Sequence, residues 1–126
     1  MREKITPTKD VVEKMEFILN IASDATRLKI LFSLIDDTLC TCGCSCCGHC
    51  EHRHCMIEKC VGDIMKDVDA SQSLISHQLK VLKDADLVSV RKEGTKAYYS
   101  LKDGHIKELL EVVYEHVMEE EEEDND

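Results

Sequence analysis

Residues 61–101, VGDIMKDVDASQSLISHQLKVLKDADLVSVRKEGTKAYYSL, decide the fold of this chain. Apolar residues recur at helical spacing in two runs, and the tripeptide at 69–71 separates them. Two helices joined by so short a turn are typical of a helix-turn-helix. The chain then alternates polar and apolar residues on both sides of Glu93-Gly94, where glycine supplies the positive φ of a tight turn. The stretch therefore predicts a helix-turn-helix followed by a β-hairpin wing.

Amphipathic helices are predicted on both sides of this stretch. Apolar spacing over residues 11–22 predicts a first helix, and a second helix, capped by Ser23 or Asp24, is expected to run to about Asp36. After the wing, Asp103 is expected to cap a last helix with one continuous apolar stripe. The predicted fold class is mainly α with a small β-hairpin wing, a winged helix-turn-helix.

A cysteine-rich stretch interrupts the helical pattern at residues 37–59. Apart from cysteine it carries almost no apolar side chains, so it cannot form an ordinary core face and predicts an inserted loop. The last eight residues contain seven Asp or Glu and are expected to be a disordered acidic tail. The predicted organisation is a winged helix-turn-helix domain over 1–118, which includes the inserted loop, and a tail over 119–126.

Composition limits the class of protein. With 126 residues, 43% of them apolar, and no Trp, one small domain with an aliphatic core is expected. No apolar stretch follows the charged N-terminus, so we expect a cytoplasmic protein without membrane contact. In that compartment the eight cysteines are expected to stay reduced and to bind metal, with structural disulfides as the alternative.

The distribution of charge permits DNA binding although the net charge is −10. Between residues 71 and 102 there are six Lys or Arg and three Asp or Glu, a local charge of +3. Short polar side chains at the start of the second helix suit base edges and phosphates in the major groove. These are Ser71, Gln72, Ser73, Ser76 and His77, and the hairpin adds the cations Arg91, Lys92 and Lys96. Ordinary solvated surface charge is the alternative interpretation.

The last helix carries potential metal ligands in two pairs, Asp103 with His105 and His116 with Glu119. The two histidines are 11 residues apart, close to three helical turns, so they share one face but lie ~16 Å apart. One helix therefore cannot close a site. Two copies packed antiparallel about a two-fold axis bring the pairs together in two sites, whose two nitrogens and two oxygens suit tetrahedral zinc or cobalt. Alternatively, His105 begins the helix, His116 packs at an interface and Glu119 begins the tail.

Several stretches together resemble the ArsR/SmtB family of metal-responsive repressors: SDATRLKILFSL (23–34), KCVGDIM (59–65), SQSLISHQLKVLKDADLV (71–88), the wing and DGHIKELLEVVYEHVMEE (103–120). The resemblance implies a winged-helix homodimer whose first and last helices form the interface. It also implies binding to an imperfect palindrome and dissociation by metal. The pattern D-x-H, ten residues, H-x-x-E looks like the family's zinc-sensing site, and the residues that match it are Asp103, His105, His116 and Glu119.

Two features depart from the family pattern. Members that sense cadmium, lead or arsenic carry CVCD at the start of the first helix of the helix-turn-helix, whereas this chain has Gly62 in place of the second cysteine. The other departure is the inserted loop, whose dense C-x-C spacing is similar to metallothionein and whose Cys47 and Cys50 are spaced most like a zinc pair. The candidate second metal site comprises Cys40, Cys42, Cys44, Cys46, Cys47, Cys50, Cys55 and Cys60, with His49, His52 and His54 nearby. A second sensor, a metal-capture arm, a redox device and a disordered loop remain alternatives for it.

The sequence thus predicts a repressor that binds palindromic operator DNA as a homodimer and is released by zinc or a similar divalent ion. Its expected partners are operator DNA and a second copy, without a small organic substrate. One rival is a soft-metal or thiol-redox sensor acting through the cysteine-rich loop, and another is a metal buffer or chaperone. No nucleophile–base pair or phosphate-binding loop appears in the sequence, so an enzyme is not expected.

Overall fold

The computed structural model describes residues 4–35 and 57–124. Within these ranges the elements are α1 (Lys9–Ala22), α2 (Ala25–Ser33), α3 (Val61–Asp67), α4 (Gln72–Asp84), β1 (Val88–Glu93), β2 (Lys96–Leu101) and α5 (Gly104–Asp124). This order confirms the predicted helix-turn-helix, formed by α3 and α4, and the hairpin wing after it. No helix in this part of the chain combines the length and hydropathy needed to cross a bilayer.

Side-chain caps fix where the helices begin. Before α1, α2 and α4, the side chains of Thr8, Asp24 and Ser71 each accept a hydrogen bond from a backbone N–H three residues further on. Asp103 Oδ1 accepts one from the N–H of Ile106, at 3.2 Å. These bonds satisfy amide groups that have no partner within their own helix. Of the two caps predicted for α2, the structure has Asp24, while Ser23 ends α1, and the predicted cap Asp103 is confirmed.

The core lies between α2, α3 and α4, and the base of the hairpin closes it. Its fully buried side chains are aliphatic and include Ile30, Leu31, Leu34, Ile64, Ile75, Leu79, Leu82, Val88 and Leu101. The α4 members stand at i, i+4 and i+7, so they lie on one face of that helix. The opposite face of α4 is left in solvent, and this positions the DNA-binding candidates described below.

The hairpin has the predicted tight turn. β1 and β2 pair antiparallel from Val88 opposite Leu101 to Glu93 opposite Lys96, which leaves a two-residue turn at residues 94 and 95. Gly94, the first residue of that turn, has φ 62°. A left-handed residue at this position, most easily supplied by glycine, matches the twist of the two strands.

Two predicted helix ends are wrong. α2 ends at Ser33 rather than near Asp36, because the N–H groups of Leu34 and Ile35 bond to carbonyls only three residues back and tighten the last turn. Leu34 still enters the core, so the apolar spacing outlasts the helix. α5 continues to Asp124, where a disordered tail was expected from Glu119. Glu is a good helix former, and extending an existing helix costs far less than starting one.

The segment before α3 is attached to the wing. Lys59 exchanges two backbone hydrogen bonds with Tyr99 of β2, at 2.9 and 2.8 Å, and forms an isolated antiparallel bridge. Its ammonium group also lies 2.5 Å from a carboxylate oxygen of Asp67, at the end of α3. Lys59 falls at the end of the predicted inserted loop, residues 37–59. A single β-bridge is too short to show an alternating polar–apolar pattern, so the sequence does not predict it.

The turn between α4 and β1 contains a left-handed residue other than glycine. Asp86 has φ 62°. Its N–H bonds to the carbonyl of Lys83, and the N–H of Leu87 bonds to the carbonyl of Leu82. This is the Schellman arrangement, in which the left-handed position is usually glycine. Leu82 and Leu87 are both buried, which supplies the apolar contact that accompanies the motif.

We expect Asp86→Gly to raise the free energy of unfolding by about 1 kcal/mol, because glycine adopts this backbone conformation without a Cβ penalty. The side chain of Asp86 is largely exposed and lies 3.8 Å from Lys102 Nζ, so little is lost with it. Asp86→Val should have the opposite sign, since a β-branched residue strains the left-handed region. Urea unfolding of the three proteins measures both changes. A glycine variant less stable than wild type contradicts the assignment.

Candidate DNA-binding surface and metal site

The predicted DNA-reading residues lie on the solvent face of α4. Gln72, Ser73, Ser76 and His77 are all exposed, and their spacing places them on adjacent turns of one helix face. Ser71 is exposed as well, but its Oγ accepts the capping bond from Leu74 N at 3.2 Å. Its hydroxyl hydrogen therefore remains for donation to a phosphate. The side chains at the start of α4 offer both donors and acceptors to a groove.

Two further exposed residues on α4 were not among the sequence candidates. Leu74 is 39% exposed, although it belongs to the apolar run that predicts α4. It lies beside Gln72 and Ser73, where an aliphatic side chain suits contact with a thymine methyl group. Lys80 is exposed one turn after Ser76 and adds a cation to the same face. The signal for Leu74 was available, since the core residues at 75, 79 and 82 leave position 74 off their stripe.

Arg91 of the wing is already paired. Its Nε donates to both carboxylate oxygens of Glu58, at 3.2 and 3.0 Å, and its Nη1 donates to Glu93 at 2.8 Å. The guanidinium carbon also lies 4.9 Å from the ring centroid of Tyr98. The hydrogen bonds to Glu58, and then to Glu93, raise the pKa of Arg91. Its charge is therefore balanced before any DNA approaches.

The other wing cations differ from Arg91. Within residues 4–35 and 57–124, Lys92 and Lys96 are exposed and have no ion pair. They flank the hairpin turn, where a wing presents charge to the DNA backbone. Of the three predicted wing cations, these two are ready for phosphate in the structure as it stands.

We expect Glu58→Gln to tighten binding to non-specific duplex DNA, because it releases the Arg91 side chain and removes a negative charge beside it. Each added phosphate contact steepens the slope of log affinity against log salt by about 0.9. Fluorescence anisotropy over a salt series measures both quantities. Glu16→Gln is the matched control, since it changes the net charge equally on an exposed position of α1. A salt slope of Glu58→Gln equal to that of wild type would show that Arg91 does not bind phosphate even without its Glu58 partner.

The predicted metal ligands of α5 stand in two separated pairs. His105 Nδ1 lies 3.8 Å from Asp103 Oδ1, and the side chain of His105 is 93% exposed. His116 Nε2 lies 3.3 Å from an oxygen of Glu120, one turn further on, and its side chain is 72% exposed. Glu119 is exposed beside them. In the part of the chain that is described, no three His, Cys, Asp or Glu side chains converge on one point, so these α5 pairs do not meet in a metal site within one protomer.

Of the predicted cysteine ligands, the structure describes Cys60 alone, and positions 40–55 lie outside the described residues. Cys60 is half-buried at the start of α3, and its thiol donates to Asp63 Oδ2 at 3.3 Å. This hydrogen bond is the main cause that lowers the pKa of Asp63. A Cβ built on Gly62 meets nothing nearer than Cys60 Sγ, at 3.9 Å. The position that lacks the second thiol thus has room for one beside the first.

α1 and α5 both expose large apolar side chains, and we call this set of residues the α1/α5 surface. On α1 it comprises Val11, Val12, Met15, Phe17, Ile18 and Leu19, and on α5 Leu109, Val112, Val113, Tyr114, Val117 and Met118. A groove of about 340 Å³ runs between the two helices, lined by Leu19, Leu109 and Val113 among others. None of the α1 residues is fully buried in one protomer. Apolar exposure on this scale marks a surface made for a partner.

Comparison with known proteins identifies the family. The model described as "Bacterial regulatory protein, arsR family" matches residues 57–90, from the segment before α3 into β1. An SmtB transcriptional repressor homologue from Synechocystis sp. is 28% identical over 110 residues, which cover 87% of this chain and 68% of the relative. A cadmium resistance transcriptional regulatory protein, a CadC homologue from Staphylococcus aureus, is 31% identical over 103 residues, 81% of this chain and 69% of the relative. The chain belongs to the arsR family.

Membership in the arsR family makes this chain a DNA-binding transcriptional repressor of the ArsR/SmtB type and not an enzyme. The fold agrees with solved structures as well. The homodimeric winged helix-turn-helix domain of Mb0332 from Mycobacterium bovis matches with a TM-score of 0.67 at 20% identity, over 94% of this chain and 92% of that one. The predicted family and fold class are thereby confirmed.

Proposed function

We propose that this ArsR-family protein is a homodimeric repressor that acts in the cytoplasm, binds palindromic operator DNA and releases it when a divalent metal ion binds. The observation that carries the DNA-binding part is the exposed polar face of α4 together with the two exposed wing lysines, Lys92 and Lys96. An α-helix fits into the major groove of DNA, where its polar side chains can bind base edges. The lysines contribute affinity by binding phosphates. The metal-responsive character of the SmtB- and CadC-type relatives supports the regulatory part.

The homodimer in this proposal is held by the α1/α5 surface. In the isolated protomer this surface leaves large aliphatic and aromatic side chains in water, including Phe17 and Tyr114. Packing it against a second copy about a two-fold axis removes them from water, which is the usual driving force of obligate dimers. The same symmetry places two α4 helices for two half-sites of a palindrome.

The metal site in this proposal takes Asp103 and His105 from one protomer and His116 and Glu119 from the other. Both pairs are exposed on the helix that also carries half of the apolar surface, so dimerisation is what brings them together. Two imidazole nitrogens and two carboxylate oxygens form a donor set that fits tetrahedral zinc or cobalt. Asp103 keeps a free carboxylate oxygen for this purpose, because its capping bond to Ile106 uses only Oδ1.

Metal and operator oppose each other in this scheme. A cross-subunit metal fixes the relative position of the two α5 helices and with it the spacing of the two α4 helices. DNA requires half-sites about one helical turn apart, ~34 Å, so a dimer held at another spacing loses contacts to one of them. By linkage, the operator must then weaken zinc binding by the same factor by which zinc weakens operator binding.

A metal titration of operator binding tests the proposed function. The probe is a fluorescein-labelled duplex enriched from a random-sequence library by the wild-type protein, and its anisotropy is followed against buffered zinc, cobalt, cadmium and arsenite. We expect zinc and cobalt to release the duplex, also from a variant whose residues 40–55 are replaced by a Gly/Ser linker. Release by cadmium or arsenite alone, lost with the linker, assigns sensing to the cysteine-rich loop. Binding of metal without any preferred duplex assigns the chain to the metal buffers.

Soft-metal sensing is the second candidate, and the geometry around Cys60 favours it. The thiol lies at the start of α3, and Gly62 leaves space next to it. A relative is named for cadmium resistance. With glycine at position 62, one thiol remains there for a soft ion.

We therefore expect Gly62→Cys, in the background with the Gly/Ser linker at residues 40–55, to create cadmium binding with thiolate charge-transfer absorbance. The added Cβ contacts Cys60 Sγ at 3.9 Å and clashes with nothing, so α3 should keep its structure. Gly62→Ser is the control, because it adds a side chain of similar size without a thiol. Absorbance that is equally strong before Gly62 is changed contradicts the view that this position limits the site.

A further inference from the structure

A polar link joins α1 to α4 beside a mainly aliphatic core. Gln78 of α4 is only 9% exposed and stands among Ile75, Leu79 and Leu82 on the buried face of that helix. Its Oε1 accepts a hydrogen bond of 2.6 Å from Nε of Arg27 on α2. The same guanidinium donates from Nη1 to the carbonyl of Ile21, in the last turn of α1, at 3.2 Å. One side chain thus holds the end of α1 and the middle of α4.

Each contact of Arg27 satisfies a group that would otherwise lack a partner. The Ile21 carbonyl belongs to the last turn of α1, where carbonyls have no hydrogen-bond donor within the helix. The Gln78 amide is buried, and a buried amide without a partner is costly. Asp24 caps the backbone N–H of Arg27 itself, which fixes where Arg27 leaves the start of α2. The planar guanidinium, unlike a lysine ammonium, has donors directed at both acceptors.

Gln78 belongs to the same helix as the candidate DNA-reading residues, so its hydrogen bond to Arg27 can affect DNA binding. Gln78 follows His77 directly in the chain. Its side chain is buried, whereas the candidate DNA-reading side chains are exposed on the other face of α4. The apolar contacts that Ile75, Leu79 and Leu82 make with the rest of the core are non-directional. A short hydrogen bond is directional and defines that rotation. Binding residues need to be held to within about 10–20° for a specific contact.

We infer that Arg27 and Gln78 are positioning residues that set the rotation of α4 and tie it to α1, the helix that carries half of the α1/α5 surface. Neither residue touches DNA. They act through Gln72, Ser73, Ser76 and His77, whose directions change when α4 turns. The inference rests on the proposed function. It adds a route by which the arrangement of the dimer interface affects operator affinity.

The test compares specific with non-specific DNA affinity. A misrotated α4 loses base contacts but keeps most phosphate contacts, so the ratio of the two affinities falls while the non-specific affinity and its salt slope persist. We expect Gln78→Leu to lower this ratio by at least ~tenfold, comparable to one mismatched base pair. Gln78→Glu retains the acceptor for Arg27 and should keep most of the wild-type ratio of specific to non-specific affinity. Arg27→Lys reaches one acceptor at a time and should fall between the two.

Ile75→Val is the matched control, because it removes one methyl group from the same buried face and leaves the hydrogen bond intact. Affinity ratios are measured by anisotropy with the library-enriched duplex and a scrambled duplex. Urea unfolding of the same proteins measures their stability. A ratio unchanged in Gln78→Leu, or lowered equally in Ile75→Val, overturns the inference. A wild-type protein that prefers no duplex overturns the proposed function instead.

Discussion

Replacing His105 or His116 with alanine is expected to abolish zinc-driven release of the operator while the metal-free protein keeps nearly all of its operator affinity. Each proposed site needs one histidine from each protomer, so either change removes one of four ligands from both sites of a homodimer. Neither side chain lies on the α4 face or the wing, and both are largely exposed, so DNA binding and folding should be preserved.

The size of this effect follows from linkage. Couplings between an effector and a ligand typically amount to ~1–3 kcal/mol, which corresponds to a ~5–150-fold change in operator affinity on adding zinc. In either histidine variant that factor should approach unity. Anisotropy of the labelled duplex with and without buffered zinc measures it, and Glu121→Gln on the same helix serves as a control outside the ligand set. Release at wild-type zinc concentrations in both variants assigns regulation to other ligands.

Introducing a charge into the α1/α5 surface is expected to dissociate the dimer and remove operator binding. Val113 is 53% exposed in one protomer and lines the groove beside Leu109 and Val117. Val113→Glu should therefore leave the protomer folded, since the carboxylate can reach water there. In a dimer the same carboxylate is buried without a partner, which costs about 3 kcal/mol or more and raises the dimer dissociation constant at least ~100-fold.

Sedimentation equilibrium and operator anisotropy on the same samples check this prediction together. Val113→Ala is the control, because it shortens the side chain without adding a charge and should weaken the dimer far less. Circular dichroism establishes that each protomer keeps its helices. A Val113→Glu protein that remains dimeric at micromolar concentration and binds the duplex normally contradicts the assignment of this surface.

Most of the fold was predictable because its signals are local. The α3-turn-α4 unit followed from helical spacing broken at residues 69–71, and the wing followed from alternation around Gly94. Residue type alone predicted the cap at Asp103 and limited the cap of α2 to Ser23 or Asp24, of which the structure has Asp24. Helix ends were less well predicted, since apolar spacing continues at Leu34 after α2 has stopped, and charge density at residues 119–124 does not prevent a helix from continuing.

The parts of the site that the sequence missed depend on contacts between distant segments. Glu58 and Arg91 are 33 residues apart, and Arg27 and Gln78 are 51 apart, so no periodicity connects them. The sequence assigned Arg91 to DNA from its charge, whereas its partners on the folded chain balance that charge. The ligand pairs at the start and end of α5 differ from these contacts. Their spacing is visible in the sequence, and in the proposed site the ligands that complete each pair come from a second copy.

A mixed dimer tests the central claim, that metal binds between two protomers. One protomer carries His105→Ala and the other His116→Ala, each with a different affinity tag so that the heterodimer can be purified. In a cross-subunit arrangement the two changes fall in the same site, and the second site receives an intact Asp103 and His105 from one protomer and an intact His116 and Glu119 from the other. Each parental homodimer lacks a ligand in both sites.

The measurement is zinc-dependent release of the labelled duplex, with zinc stoichiometry determined on the same heterodimer. We expect one zinc ion per heterodimer and recovery of zinc-driven release that neither parental homodimer shows. A heterodimer that binds no zinc and responds no better than its parents contradicts a site shared between protomers.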